Sequence, residues 1–373
     1  MSVPIKILIV DDSALVRKML KEMLSSDPAL QVIGTASDPF DAREKIKLLR
    51  PDVLTLDIEM PKMDGVTFLK NLMRLHPLPV VMVSTLTEKG ADITFEAMDL
   101  GAVDFVTKPK IDLAHTFEAY TQEICSKVKT AARVHKSMLE RQYARYVANQ
   151  SGRPEVVKSS SVPGKLSTDA VLPRANIGHK HFKTTEKIIA LGASTGGTEA
   201  IKEVLMRLPA SAPGIVITQH IPAAFSLPFA KRMDSVSEMT VFHAEDGQQI
   251  LPGHVYIAPG DKHLMVVRDG ARYICRLNDG PPVNRHKPAV DVMFRSVVQN
   301  VGQNAIGVLL TGMGADGAIG MKELQEVGVP TIAQDEKSSV VWGMPGEAVK
   351  LEAADYILSL EKIPQKILEL AAR

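Results

Sequence analysis

The stretch IIALGASTGGTEAI, residues 188–201, decides how the second half of this chain folds. Its first residues form an apolar run that predicts a buried strand, and the pattern that follows Gly197 predicts a helix. Small residues between the two allow a sharp turn, and a single serine, Ser194, precedes the helix. The match to G-x-S-x-G is typical of a turn that exposes a nucleophilic serine, but simple turn chemistry or a phosphate-binding loop would also explain it. The dinucleotide fingerprint G-x-G-x-x-G and a Walker Gly-Lys-Ser/Thr are both absent.

The 373 residues are enough for two ordinary domains, and neither half has an extreme composition. Residues 1–125 hold 14 basic and 19 acidic side chains, and residues 184–373 hold 18 and 21. The segment between them, residues 126–183, holds 12 basic and 3 acidic side chains, a net charge of +9. Its composition beyond Tyr146 is rich in Ser, Pro, Gly and Lys, which is typical of a linker. We therefore predict domains at 1–125 and 184–373 and a basic linker over 126–183.

Both predicted domains alternate apolar strands with helical patterns, which predicts doubly wound α/β folds with parallel sheets. In the first domain the predicted strands cover residues 5–10, 31–36, 52–57, 79–85 and 103–108. In the second they cover residues 187–194, 214–220, 254–260 and 305–312, with helices near 197–208, 288–300 and 317–326. Residues 263–277 predict a hairpin around Asp269-Gly270.

Polar residues end the predicted strands of the first domain: Asp11 and Asp12, then Asp57, Ser84 and Lys108. Parallel strands deliver their carboxyl ends to one crevice, so the three carboxylates should lie together. Such a cluster suits Mg²⁺, and a carboxylate beside Mg²⁺ is a good phosphoryl acceptor. Asp11 or Asp12 alone would be explained equally well as a helix cap, but the joint set is much less common.

Residues 1–125 closely resemble the receiver domain of bacterial response regulators, in the stretches LIVDDSALVRKML, DVLTLDIEMPKMDGVTFL, VVMVST and GAVDFVTKP. The resemblance implies a flavodoxin-like fold in which a histidine kinase phosphorylates Asp57. It also implies Mg²⁺ on Asp12, Asp57 and the backbone carbonyl of Glu59, with Asp11 supporting the metal. Further implied roles are those of switch hydroxyl, switch aromatic residue and phosphate-sensing lysine, for Ser84, Phe105 and Lys108.

A nucleophilic Ser194 needs a base and a group that orients it. His220 ends a predicted strand of the same domain, and Asp316 lies in the Gly-rich turn after the last one. His220 would also be explained as a core or capping histidine, and Asp316 as a helix cap. The order Ser, His, Asp differs from the α/β-hydrolase order, which argues against that fold.

The second half resembles the catalytic domain of the chemotaxis protein-glutamate methylesterases, the CheB type, in stretches that include ITQHIPAAFSLPFAKRM, PPVNRHKPAVDVMF and VLLTGMGADGAIGM. The resemblance implies a triad of nucleophile, base and orienting carboxylate, and an oxyanion site. Those roles fall on Ser194, His220 and Asp316, with backbone groups of Thr195 and Met313 at the oxyanion. It implies hydrolysis of glutamate γ-methyl esters, with methanol released, and deamidation of glutamines on chemoreceptors. No cofactor is expected for the esterase step.

Other functions and locations are less consistent with the sequence. A DNA-binding output would need a basic helix-turn-helix module, and residues 184–373 are net acidic and rich in predicted strands, so we expect no nucleic-acid partner. A scaffold that uses the same domain without catalysis is not excluded. No stretch is apolar enough for a signal peptide or a membrane span, so we expect a cytoplasmic protein without membrane insertion. We expect a monomer, because no coiled-coil seam is present. We expect Asp57 phosphorylation to regulate the enzyme, with the linker mainly solvated rather than docked.

Overall fold

The computed structural model describes residues 3–85, 88–108, 114–151, 168–173 and 187–372. The chain divides into two compact units, Met1–Val156 and Val157–Arg373. Among the described residues, none of the helices combines the length and the apolar character needed to cross a bilayer.

The first unit contains a five-stranded parallel sheet, as predicted. Its strands are β1 (Ile5–Val10), β2 (Leu30–Ala36), β3 (Val53–Asp57), β4 (Val80–Ser84) and β5 (Asp104–Thr107). Their order across the sheet is β2-β1-β3-β4-β5, and every neighbouring pair is parallel. The chain reverses its direction of winding between β1 and β3, which makes the ends of these strands the topological switch point of the sheet.

In the described part of this unit the sheet is accompanied by the helices α1 (Ala14–Ser25), α2 (Pro39–Leu49), α3 (Gly65–Leu75), α4 (Glu88–Leu100), α5 (Ala114–Ala131) and α6 (Lys136–Ser151). Helix α2 has a capped start, because Asp38 accepts hydrogen bonds from the amides of Phe40 and Asp41 and Pro39 occupies the first turn. Helix α6 packs against α3 and α4. The first unit therefore extends beyond the predicted boundary at residue 125, into the segment that we expected to be linker.

The second unit is built on a seven-stranded sheet and a separate hairpin. Its strands, over the residues that the structure describes, are β6 (Ile188–Ala193), β7 (Gly214–Gln219), β8 (Thr240–His243), β9 (His254–Ile257), β10 (His263–Asp269), β11 (Arg272–Asn278), β12 (Ala305–Leu309), β13 (Thr331–Gln334) and β14 (Tyr356–Leu358). The sheet has the order β14-β13-β12-β6-β7-β9-β8 with all pairs parallel, and β10 and β11 form the predicted hairpin. Its switch point lies between β6 and β12.

Three strands and three helices of the second unit were not predicted. The strands β8, β13 and β14 have only three or four residues each, too few to show a clear pattern. The helices of this unit are α7 (Gly197–Leu205), α8 (Ala223–Asp234), α9 (Val290–Asn300), α10 (Ala318–Glu326), α11 (Met344–Lys350) and α12 (Ile363–Ala371). Pro228 lies inside α8, where a proline normally argues against a helix.

Helix α9 is the most deeply buried helix of this unit, since all residues from Val290 to Val298 are buried. It packs against the hairpin strand β10 and against α10. Its one buried cation, Arg295, forms a two-fold hydrogen-bonded ion pair with Glu323 of α10, at 2.8 and 2.5 Å. Both side chains are almost fully buried, so each compensates the charge of the other in a place that water does not reach.

A short part of the predicted linker docks on α9. Arg295 also donates hydrogen bonds to the carboxylate of Asp169, at 2.5 Å, and to the carbonyl of Leu172, at 2.8 Å. The Gln299 side chain donates to the carbonyl of Pro173. Val171 packs on a small apolar cluster below the loop that leads into α9; the cluster consists of Val283, Ala289 and Val292. Residues 168–173 therefore belong to the second unit, which differs from the expected solvated linker; residues 152–167 and 174–186 lie outside the described part of the chain.

We expect Glu323→Ala to lower the free energy of unfolding of the second unit by about 3–5 kcal/mol, because it leaves the Arg295 guanidinium buried without its main counter-charge. The only tryptophan of the chain, Trp342, lies in this unit, so its fluorescence during urea denaturation reports the right transition. Glu326→Ala is the matched control, since Glu326 is exposed on the same helix. Equal losses in the two variants would contradict this account of the ion pair.

Candidate active site

Ser194 lies in the turn between β6 and α7, at the carboxyl edge of the seven-stranded sheet. Its amide donates to the carbonyl of Thr311, and its own carbonyl accepts from the amide of Gly197 and from the side chain of Gln219, at 2.9 Å. Gly196 has a φ of +75°, a left-handed conformation that favours glycine and ends the turn where α7 begins. The backbone of Ser194 is thus fixed from both neighbouring strands, as a preorganised nucleophile requires.

The loop after β12 approaches Ser194 closely. A Cβ atom added at Gly312 would lie 2.8 Å from the Cβ of Ser194 and 3.0 Å from its amide nitrogen. Only a glycine fits there without displacing the serine. The same loop carries Met313 and Asp316, so the close approach brings the predicted oxyanion and orienting residues to the serine turn. The oxyanion roles of Thr195 and Met313 stay predictions.

His220 and Asp316 form a hydrogen bond of 2.8 Å between Nε2 and Oδ2. The residue before His220 ends β7, next to β6, and the His220 amide donates to the carbonyl of Ala193, directly before the serine. The other ring nitrogen, Nδ1, is buried and has no hydrogen-bond partner among the described residues. The structure therefore brings the three predicted triad residues to one sheet edge, with the His220–Asp316 pair hydrogen-bonded and Nδ1 as the ring nitrogen left to exchange a proton.

Asp316 is the most heavily hydrogen-bonded carboxylate of the site. Besides His220 it accepts the amides of Val290 and Asp291, at 2.7 and 3.2 Å, and the side-chain amide of Asn284, at 2.6 Å. Burial alone would raise its pKa, but the hydrogen bond and charge of His220, the charge of His286 and the Asn284 hydrogen bond hold the pKa of Asp316 well below its usual range. The carboxylate therefore stays ionised, as the partner of an imidazole must.

Two residues of the site were not predicted from the sequence. Asn284 bridges Asp316 and the buried Asp291, to which its amide also donates at 2.7 Å, and it has a left-handed φ of 54°. The ring of His286 stacks on that of His220, with 3.7 Å between centroids and 9° between planes. Both lie in the proline-rich stretch PPVNRHKP. Asparagine tolerates a left-handed backbone, so an asparagine in such a loop was the one sequence signal that pointed to Asn284.

A second polar cluster lies at the carboxyl ends of β1 and β3 in the first unit. Asp11, Asp12 and Asp57 can each place a carboxylate oxygen within 4.8 Å of the others. Lys108 binds Asp57 at 2.7 Å and lies 3.5 Å from Asp11. Burial and the charge of Asp11 raise the pKa of Asp57 to about 6, although Lys108 and the amide of Glu59 act in the opposite direction.

This cluster fits a divalent cation. Asp11 Oδ2 is buried and accepts no hydrogen bond among the described residues, and the raised pKa of Asp57 indicates negative charge that Lys108 compensates only in part. Oxygen donors of this kind are the ligands that Mg²⁺ prefers. Asp12 is exposed, which leaves it accessible for such an ion.

The other predicted receiver residues surround this cluster. Ser84 ends β4 and is fully buried. Phe105 is also buried, and its ring packs edge to face against Phe95 of α4, with 6.3 Å between centroids.

Both halves of the chain are similar to known proteins. The family model for the CheB methylesterase matches residues 189–367, and that for the response regulator receiver domain matches residues 7–118. A protein-glutamate methylesterase/protein-glutamine glutaminase of Hydrogenovibrio crunogenus is 74% identical over 98% of this chain and 98% of its own length. One from Xanthomonas campestris pv. campestris is 55% identical over 99% of this chain and 98% of its own.

Among solved structures, the Thermotoga maritima CheB methylesterase catalytic domain is 39% identical; the match covers 50% of this chain and 100% of that one, with a TM-score of 0.49. The relatives match almost from end to end, across both units and the segment between them. The chain therefore belongs to the CheB methylesterase family, in the form in which a response regulator receiver domain precedes the catalytic domain.

Proposed function

We propose that this chain is a serine hydrolase that demethylates glutamate γ-methyl esters, and deamidates glutamines, on bacterial chemoreceptors, and that phosphorylation of Asp57 controls it. The observation that carries the proposal is the hydrogen bond between His220 and Asp316 beside the Ser194 turn. The names of the relatives, protein-glutamate methylesterase/protein-glutamine glutaminase, support the substrate class.

In the first step Ser194 Oγ attacks the γ-carbonyl carbon while His220 takes its proton. Because Nε2 of His220 is bound to Asp316, we assign the proton transfer to Nδ1. The ionised Asp316 stabilises the imidazolium that forms, and backbone amides at Thr195 and Met313 are our candidates for binding the oxyanion. The bond from carbon to the methoxy oxygen then breaks, and methanol leaves with the proton from His220.

In the second step water attacks the acyl-enzyme, giving its proton to His220, and Ser194 leaves with that proton to restore the glutamate side chain. With glutamine as substrate the same sequence releases ammonia in place of methanol. Each step uses one proton acceptor and one oxyanion site, so a single triad supports both reactions.

In the receiver, Asp57 is the proposed phosphoryl acceptor. A carboxylate oxygen of Asp57 attacks the phosphorus of a kinase phosphohistidine, and the bond from phosphorus to nitrogen breaks. Asp12, Asp57 and the Glu59 carbonyl would hold Mg²⁺, with Asp11 in support, and the ion would neutralise charge on the phosphoryl oxygens. Lys108, already 2.7 Å from Asp57, is placed to bind one of those oxygens.

The proposed partners are the methylated chemoreceptors and a histidine kinase, and the proposed location is the cytoplasm. We propose a monomer without a nucleic-acid partner.

The first test measures methanol release from methylated receptor membranes by the full chain, with and without a small-molecule phosphodonor and Mg²⁺. We expect release to rise with the donor, and Asp57→Asn to abolish the rise while leaving the basal release. If methanol release is the same with and without the phosphodonor, the regulatory part of the proposal is wrong. No release from folded protein would favour the scaffold alternative.

Ser194→Ala should reduce methanol release by at least about 10³-fold, because the acyl-enzyme cannot form. Binding of the receptor membranes and the urea denaturation midpoint read from Trp342 should stay near those of the wild type. Ser235→Ala is the control, since Ser235 is exposed at the end of α8. Ser226 is less suitable, because it is buried and hydrogen-bonded to His243. Activity retained by Ser194→Ala would remove the nucleophile from this proposal.

Asp316→Asn should act on both activity and stability. We expect a loss of about 10⁴-fold in kcat, since the imidazolium loses its ionised partner. We also expect the free energy of unfolding to fall by about 1–2 kcal/mol, because the carboxylate caps the first amides of α9. Ser194→Ala, which leaves this cap intact, is the control that separates the two effects. A stable Asp316→Asn protein would contradict the capping role.

The lowered pKa of Asp316 gives a pH dependence with a definite sign. A carboxylate whose pKa is lower in the folded than in the unfolded state contributes stability above the ordinary pKa, about 3.9, and loses it as pH falls through the lower value. Acidification from about pH 5 to pH 3 should therefore destabilise the wild-type second unit more than Asp316→Asn, as read from Trp342. If the free energy of unfolding fell equally with pH in the two proteins, the lowered pKa of Asp316 would be contradicted.

A further inference from the structure

A hydroxyl pair inside the receiver is not used by the proposed chemistry. Ser84 Oγ and Thr94 Oγ1 lie 2.7 Å apart, and neither side chain is exposed. Thr94 belongs to α4, whereas Ser84 ends β4. The pair therefore joins Ser84, the predicted switch hydroxyl, to helix α4, which carries none of the carboxylates of the Asp57 cluster.

Proton counting decides which hydroxyl donates in this pair. Each hydroxyl has one proton, and a carbonyl oxygen can only accept. Thr94 Oγ1 lies 2.6 Å from the carbonyl oxygen of Gly90, one turn earlier in α4, so its proton is used there. Ser84 must then supply the proton of the 2.7 Å contact. Among the described residues, the other acceptors near Ser84 are the carbonyls of Thr85 and Gly90, which are both 3.4 Å away and bind weakly.

A phosphoryl group on Asp57 would compete for the same proton. Phosphoryl oxygens only accept hydrogen bonds, so Ser84 can bind one of them only if it stops donating to Thr94. We propose that Thr94 is a positioning residue that holds the Ser84 hydroxyl away from the phosphoryl site and thereby raises the phosphoryl occupancy needed to activate the receiver. This inference rests on the proposed role of Asp57 as phosphoryl acceptor and on the expected role of Ser84 as the hydroxyl that binds the phosphoryl group.

The neighbouring contact makes α4 the element that responds. Thr94 binds Ser84, and the next residue, Phe95, packs edge to face on Phe105. Both predicted switch residues are thus held by consecutive positions of one helix. When Ser84 turns to the phosphoryl group, Thr94 loses its donor and α4 loses a buried hydrogen bond to the sheet.

The test is a titration of the full chain with beryllofluoride, a phosphoryl analogue, in the presence of Mg²⁺, with the bound species followed by fluorine NMR. Thr94→Val keeps the shape and removes the hydroxyl, so Ser84 no longer has to break a good hydrogen bond. The half-saturating concentration should fall about 3- to 10-fold, the effect of one buried hydrogen bond. Thr94→Ser restores the hydroxyl and should return the value to within about 2-fold of the wild type.

A double-mutant cycle separates this role from a general effect on folding. In the Ser84→Ala background Thr94→Val should no longer change the half-saturating concentration, because the coupling passes through Ser84. Thr130→Val, which removes a buried hydroxyl from α5, is the control and should leave the value unchanged. An unchanged or higher value for Thr94→Val overturns the proposal, and so does a decrease that persists without the Ser84 hydroxyl. If the wild type does not bind the analogue, the proposed function of the receiver fails and this inference fails with it.

Discussion

The ionised carboxylate of Asp316 is the interaction on which the catalytic unit depends. It accepts hydrogen bonds from His220 after β7, from Asn284 in the loop before α9 and from the first amides of α9 itself. One buried charge thus fixes the imidazole, the loop and the start of the most deeply buried helix. Burying a carboxylate is costly unless donors surround it, and here the protein supplies four. The same donors that stabilise the charge also keep it available to the histidine.

The two units use buried aspartates in opposite ways. Asp57 has another carboxylate beside it and Lys108 as a close cation, and its pKa is raised to about 6. Asp316 is buried among hydrogen-bond donors, and its pKa is lowered. Carboxylates with few hydrogen-bond donors, like those around Asp57, attract a cation or a phosphoryl group. A carboxylate whose oxygens accept several hydrogen bonds, like that of Asp316, stays ionised and orients its neighbour. The position is the same in both units, at the carboxyl edge of a parallel sheet near its switch point, and the number of donors decides the chemistry.

The sequence predicted what depends on local pattern. Both parallel sheets, the hairpin at Asp269-Gly270 and the strand-end positions of Ser194, His220 and Asp57 follow from apolar runs and the residues that end them. It did not predict Asn284 and His286, because their roles arise only when a loop of another element folds over the sheet edge. Helix α8 contains Pro228 against its propensity, and strands β8, β13 and β14 are too short for a period to be visible. Tertiary packing decides those elements.

The docked residues 168–173 affect where a fragment of the catalytic half should begin. A fragment that begins at residue 184 lacks Asp169 and the carbonyl of Leu172, two of the acceptors of the buried Arg295. It also uncovers the apolar cluster under Val171, next to the loop that carries Asn284 and His286. Any difference in rate between such a fragment and the full chain would therefore combine the removal of the receiver with damage to the support of the triad. A fragment that begins at Thr168 lacks the receiver but keeps these contacts, so a difference between its rate and that of the full chain would report the effect of the receiver alone.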